Sequence, residues 1–236
     1  MNSKYLSIYN ELMSKIENGK IKANMKLPSE NELMRDYNVS RDTIRKALNL
    51  LAQNGYVQKI RGKGSFVLDV DKFDFPVSGL VSFKELSEKM GTKSKTILHE
   101  LELMKPDEFL MKQLNVSKND EVWKVIRVRE IGNEKIILDK DFLNERIVPN
   151  LTKKICEDSI YEYVENKLGL RISFAKKEFT VEQSTEEDKE YLDLKGYDMV
   201  VVVKNYTYLN DATLFQYTES RHRPDKFRFV DFARRK

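Results

Sequence analysis

Over residues 4–18 the apolar side chains recur at steps of three and four. Leu6, Tyr9, Leu12, Met13 and Ile16 make the stripe of an amphipathic helix, which Gly19 ends. A turn region runs to Pro28. Ser29 then stands before Glu30, Glu32 and the apolar pair Leu33 and Tyr37, a spacing that predicts a second helix with a capped start. Asn38 and Val39 turn the chain, Ser40 takes a cap position, and Ile44, Ala47, Leu48 and Leu51 form the buried stripe of a third helix to about Gln53. Asn54-Gly55 closes it. Residues 56–60 and 65–68 read as two short strands, and the glycines of the intervening Arg61-Gly62-Lys63-Gly64 suit a tight turn.

Three helices followed by a hairpin is the order of a winged helix-turn-helix. The stretch DVDKFDFP at 69–76 has neither period and ends in proline, so it reads as a linker. Beyond it the pattern predicts helices at about 82–90, 107–114 and 159–168. Strands are predicted at 96–104, 121–131, 134–142, 171–182, 197–209 and 213–223, with a last one near 226–232. Strands joined by short turns such as Gly132-Asn133 pair as hairpins, so this half is α+β on an antiparallel sheet. The expected domains are 1–68, a linker at 69–76, and 77–236, and no internal repeat is visible.

Composition fits two folded domains: 236 residues, 40% hydrophobic and 34% charged, a balance that argues against a largely disordered chain. The net charge of +4 is unevenly spread. Residues 1–68 hold 12 Lys+Arg against 6 Asp+Glu, a surplus of +6, and the remainder holds 30 against 32, or −2. A basic head on a near-neutral body fits a nucleic-acid partner, although a merely solvated face has the same charge. One cysteine makes neither an internal disulfide nor a thiolate zinc cage, and no metal-ligand spacing appears, so no metal and no cofactor are expected. The amino end lacks the apolar core of a secretion signal, and no uncharged run approaches the ~20 residues of a bilayer span. A cytoplasmic protein with no membrane partner is expected.

Arg41 and Arg45 lie four apart in the third helix, clear of its apolar stripe. Such a pair suits a helix entering the major groove, because the planar fork of arginine matches the O6 and N7 acceptors of guanine. Ser40 and Thr43 offer short hydroxyls, Lys46 a flexible phosphate contact, and Arg61 and Lys63 two cations on a narrow glycine wing. Taken singly, these are also a solvated helix face, a cap and a charged turn. A phosphate-cradling loop would need a spacing that is absent.

In the strand at 121–130, period two places Trp123, Val125, Arg127 and Arg129 on one face. Two arginines facing a cavity would be costly to bury unpaired. Either an anion such as phosphate reaches them, or they form cross-strand ion pairs with Asp139 or Asp141. Ser159 and Glu162 have capping-box spacing, and Tyr161 lies within the turn that they open.

The run LPSENELMRDYNVSRDTIRKALNLLAQNGYVQKIRGKGSFV resembles the amino-terminal winged helix of GntR-family transcription regulators. The resemblance implies DNA contacts at Arg35, Ser40, Arg41, Thr43 and Arg45, with a wing at Gly62, Lys63 and Gly64. Several relatives carry a basic residue where this chain has Asn31. From about Gly79 the chain resembles the UTRA effector-binding domain of the HutC subfamily, whose fold is similar to chorismate lyase. The signposts are GLVSF at 79–83, the R-x-R strand, IILD at 136–139, SIY at 159–161 and YTESRHR at 217–223. That likeness implies a phosphate pocket at Ser82, Phe83, Arg127, Arg129, Ser159 and Tyr161, and a sugar contact at Asp139, where relatives often carry Glu. Glu219 and Arg221 are further candidates for the sugar end.

Across its length the chain is similar to trehalose operon repressors of Gram-positive bacteria. This implies a homodimer on near-palindromic operator DNA, released by trehalose 6-phosphate. The alternatives are a regulator of the same family that answers another sugar phosphate or metabolite, a second domain that only dimerises, and a lyase-like enzyme. For the last the inventory is poor: the histidines are His99 and His222, the latter between two arginines where a surface or ligand-orienting role fits, and Cys156 sits in KKICE. No catalytic residue is assigned.

Overall fold

The computed structural model of the chain describes residues 4–60, 62–68, 75–76, 80–90 and 93–230. Arg61 and residues 69–74 of the expected linker lie outside them. The chain divides into two compact units, Met1–Ser78 with Phe229–Lys236, and Gly79–Arg228.

In the first unit, α1 (Lys4–Glu17), α2 (Glu30–Tyr37) and α3 (Arg41–Gln53) precede a hairpin of β1 (Val57–Ile60) and β2 (Gly64–Val67). Apolar stripes spaced at three and four turn inward together. Ile8, Leu12, Ile16, Leu33, Ile44, Ala47, Leu48 and Leu51 are buried with Val57 and Val67 of the hairpin. The starts of α2 and α3 are fixed by side chains that satisfy free backbone N–H groups. Ser29 Oγ accepts from the Glu32 amide at 3.3 Å while the Ser29 amide donates to the Glu32 carboxylate at 2.7 Å, and Ser40 Oγ accepts from the Thr43 amide at 3.3 Å. The stretch before Pro28 is more than a turn. Leu27 donates to the Ser65 carbonyl and Val67 to that of Met25, both at 2.8 Å, so residues 24–27 flank β2 through an isolated bridge between Lys26 and Phe66. Residues 75–76, expected within the linker, form a two-residue strand β3 (Phe75–Pro76), which pairs in parallel with the last described strand.

The second unit is built on a six-stranded antiparallel sheet. Its strands are β4 (Ser94–Met104), β5 (Val122–Ile131), β6 (Glu134–Asn144), β7 (Ile172–Gln183), β8 (Met199–Leu209) and β9 (Leu214–His222), in the spatial order β4-β5-β6-β9-β8-β7. Two clusters of apolar side chains show the alternation of faces. Val125 and Leu143 pack with Cys156, Ile160 and Val164, whereas Ile126, Val128, Leu138, Val200 and Val202 pack with Leu192 and Leu194. Helices α4 (Phe83–Met90) and α5 (Glu108–Leu114) fall where the pattern put them.

Three features differ from the sequence pattern. The helix expected over 159–168 is a single α turn, α7 (Ile160–Glu162), followed by a π turn at Tyr163–Lys167. Two short helices, α6 (Lys153–Glu157) and α8 (Glu186–Tyr191), were not expected, because fewer than two turns carry no readable period. The strand expected near 226–232 is present but short, β10 (Phe229–Val230) after a 3-10 turn at Pro224–Lys226, and residues 231–232 lie outside the described ones.

Leu48, only 2% exposed, fills the centre of the three-helix core. Leu48→Ala should lower the unfolding free energy of the first unit by about 2–5 kcal/mol, read as an earlier urea transition.

Candidate functional site

The first unit presents its cations on α3 and the wing. Arg35, Arg41, Arg45, Lys46 and Lys63 are all exposed, while the opposite stripe of α3 is buried. Arg41 is held: its guanidinium donates to Asn31 Oδ1 at 2.8 Å and lies 3.8 Å from Glu30. Asn31, the departure from the basic residue of several relatives, thus aims an arginine of α3. Lys46 pairs with Asp42 at 2.8 Å, and the hydroxyls of Ser40 and Thr43 share a bond of 2.9 Å. Gly62 and Gly64 have φ of +76° and +107°, backbone that L side chains avoid.

In the second unit, the two arginines of β5 are buried on one face and matched by aspartates of β6. Each reaches diagonally past the residue opposite it. Arg127 donates from Nε at 3.0 Å and Nη2 at 2.6 Å to Asp141 Oδ2, and Arg129 donates from Nε to Asp139 Oδ2 at 2.7 Å. The network continues outward. Gln216 and Thr218 each donate to Asp141 Oδ1 at 2.8 Å, Ser220 donates to Asp139, and Arg129 Nη1 donates to Thr96 at 2.7 Å. Burial disfavours ionising Asp139, but the Arg129 and Arg127 charges outweigh it and hold its carboxyl below the usual carboxylate range. Of the two readings open from the residues, the cross-strand ion pair is the geometry seen.

A cavity of ≈ 480 Å³ opens near this network. Ser82, Lys84, Ser159 and Tyr161 line it together with Glu85, Glu88, Glu162 and Glu165. Lys84 bridges Asp158 at 2.8 Å and Glu162 at 2.7 Å, bonds that raise its pKa. The Phe83 ring stacks over the Arg129 guanidinium at 4.6 Å, which links the cavity wall to the ion pairs. Tyr161 shares a 3.2 Å hydroxyl bond with Thr207, and burial pushes its phenol up to about 12. Beside Thr207 and Gln216 in the register, two acceptors, Asn205 Oδ1 and Gln216 Oε1, are buried with no hydrogen-bond partner.

Ser82, Phe83, Arg127, Arg129, Asp139, Ser159 and Tyr161 therefore gather about one face of the sheet. Glu219 and Arg221 do not join them. Strand alternation sends both to the other face, opposite Lys140 and Leu138 of β6, where Arg221 is enclosed by Asp188 at 2.7 Å, Glu219 at 2.7 Å and Glu182 at 3.3 Å. His222 is not at the surface. It is buried edge-on to Phe227, and desolvation lowers its pKa to about 4. The residues that sequence reasoning missed are Thr96, Lys84, Asn205, Gln216, Thr218 and Ser220. For the three on β9, the period-two spacing of 216, 218 and 220 was an available signal. Among the described residues, no group of three or more His, Cys, Asp or Glu is placed to hold a metal, and no helix is long and apolar enough to cross a membrane.

Two family models match this chain: "Bacterial regulatory proteins, gntR family" over residues 4–67 and "UTRA domain" over residues 89–228. Among curated proteins, it is 58% identical over 233 residues to the HTH-type transcriptional regulator TreR of Bacillus subtilis, covering 99% of this chain and 98% of that one. It is 29% identical to the HTH-type transcriptional repressor NagR of the same organism, covering 98% and 95%. Among solved structures, the possible transcriptional regulator YydK from Bacillus subtilis superposes with a TM-score of 0.81 at 28% identity, covering 98% of this chain and all of that one. The effector-binding domain of the B. subtilis trehalose repressor is 58% identical with a TM-score of 0.56, covering 60% of this chain and 99% of that domain.

Asp141 accepts four hydrogen bonds within this buried network. Asp141→Ala should strand the buried Arg127 charge and destabilise the second unit by about 3–5 kcal/mol, measured by urea unfolding.

Proposed function

The chain belongs to the GntR family of bacterial transcription regulators, with HutC-type architecture and a UTRA domain, and from that premise we propose that it represses trehalose uptake and utilisation genes until trehalose 6-phosphate releases it. As a DNA-binding regulator it is not an enzyme. The observation that carries the finer reading is the 58% identity to TreR over 99% of the chain, joined to a cavity on the network face of the UTRA sheet.

In this reading a cytoplasmic homodimer sets two copies of α3 into successive major grooves. Arg41 and Arg45 read bases. Arg35, Ser40, Thr43 and Lys46 hold phosphates, and the wing at Arg61, Gly62, Lys63 and Gly64 lies along the backbone. Both domain boundaries, at 68 and 76, belong to the same proposal.

The effector enters between Ser82, Ser159 and Tyr161. Its phosphate competes with Asp139 for Arg129, since a second anion of higher charge matches the same fork. Asp139 is then free to accept from a sugar hydroxyl. The orphaned acceptors Asn205 Oδ1 and Gln216 Oε1 call for donors of the kind that a polyhydroxyl ligand supplies. Effector and operator then disfavour one another through a coupling of about 1–3 kcal/mol, ~5–150-fold in affinity.

The closed Arg127–Asp141 and Arg129–Asp139 pairs also support a second reading, in which these arginines are structural and the domain only dimerises. Fluorescence anisotropy on labelled promoter DNA at fixed salt separates the two. Trehalose 6-phosphate should weaken binding ~5–150-fold while trehalose alone does not, and indifference to every sugar phosphate supports the scaffold. On the same DNA, Arg45→Ala should cost about 1–3 kcal/mol of specific affinity.

A further inference from the structure

We propose that Lys26, seated on the wing by Gly64, is a further DNA-phosphate contact. The inference rests on the first unit's binding DNA, and it adds a residue that neither the helix pattern nor the wing motif pointed to. Residues 24–27 run antiparallel to β2, with Asn24 donating to the Val67 carbonyl and Leu27 to that of Ser65, both at 2.8 Å. This pairing sets Lys26 opposite Phe66.

From there the lysine stem runs over the backbone of Gly64. A Cβ built on Gly64 would lie 2.8 Å from Lys26 Cε and 3.7 Å from Nζ, whereas one on Gly62 would meet nothing within 4 Å. Gly62 thus answers only to its positive φ. Gly64 answers to φ and also to the lysine that crosses it. The ammonium is carried in this way to the turn that also bears Lys63.

What Lys26 lacks is equally informative. Lys46 is paired with Asp42, Arg41 is held by Asn31, and Lys59 donates to Asn49 at 2.9 Å. Lys26 is exposed and has no carboxylate within 4.0 Å among the described residues. A cation whose stem is already laid along a strand loses less side-chain entropy when it meets an anion than a free lysine does. On a wing facing a duplex, the anion available to such a point charge is a phosphate, which positions the protein without reading sequence.

The test uses the full chain with two labelled duplexes of equal length, one from the promoter and one of unrelated sequence, titrated from 50 to 200 mM KCl. Lys26→Gln should lower the slope of log affinity against log salt by about 0.9 for each copy bound. The salt-induced loss of affinity over that range should then be roughly 3.5-fold smaller per contact, and alike on both duplexes. Lys118→Gln, which removes the same charge from an exposed position of the second unit, should leave the slope unchanged. A Lys26→Gln chain that melts like wild type and keeps the wild-type slope overturns the proposal, as does a loss confined to the promoter duplex. Wild-type chain that binds neither duplex overturns the DNA reading of this head and the Lys26 contact with it.

Discussion

The second unit depends on a single electrostatic constraint: two guanidinium groups are held inside a sheet and must be matched there. Arg127 is 6% exposed and Arg129 4%, and a charge so placed without a partner would cost several kcal/mol. Asp141 and Asp139 answer it, and each aspartate also accepts from neighbours on β9, so strands β5, β6 and β9 are joined by side chains as well as by backbone. One position in this network stays open, since Gln216 donates to Asp141 while its own Oε1 is buried without a hydrogen-bond partner.

The first unit uses the same side-chain types under the opposite rule. Its cations stay in water, and an apolar cluster runs through its interior from Ile8 on α1 to Val67 in the wing. The contrast explains how one residue type serves both units. An exposed arginine or lysine keeps its charge available to a polyanion, whereas Arg127 and Arg129 are matched by aspartates inside the sheet. Asn31 adds a refinement, since an uncharged side chain that accepts from Arg41 can aim that arginine without neutralising it.

The relatives and the geometry support one another at different depths. The matched family models and the 58% identity to TreR establish what kind of regulator this is. The cavity with Ser82, Ser159 and Tyr161 on its wall shows where a small ligand has room. Four carboxylates on that wall, Glu85, Glu88, Glu162 and Glu165, are set against one cation among the described lining residues, Lys84.

Much of this was readable from the residues in order. The capped starts of α2 and α3, the core stripe of α3, the glycine wing and the shared face of Arg127 and Arg129 all follow from spacing, because caps, stripes and strand alternation are local properties of the chain. The order of helices and hairpin determined the kind of head, and the charge count determined where the basic surplus sits. Other features required distant segments to meet. Whether the arginines would face aspartate or open space depended on the register of β5 against β6. The parity of β9 sent Glu219 and Arg221 away from the cavity, and only the pairing of residues 24–27 alongside β2 brought Lys26 over Gly64. Spacing along a chain states which side chains share a face, but which face meets which neighbour is decided when the sheet closes, by hydrogen-bond register and by the cost of leaving a buried charge unmatched.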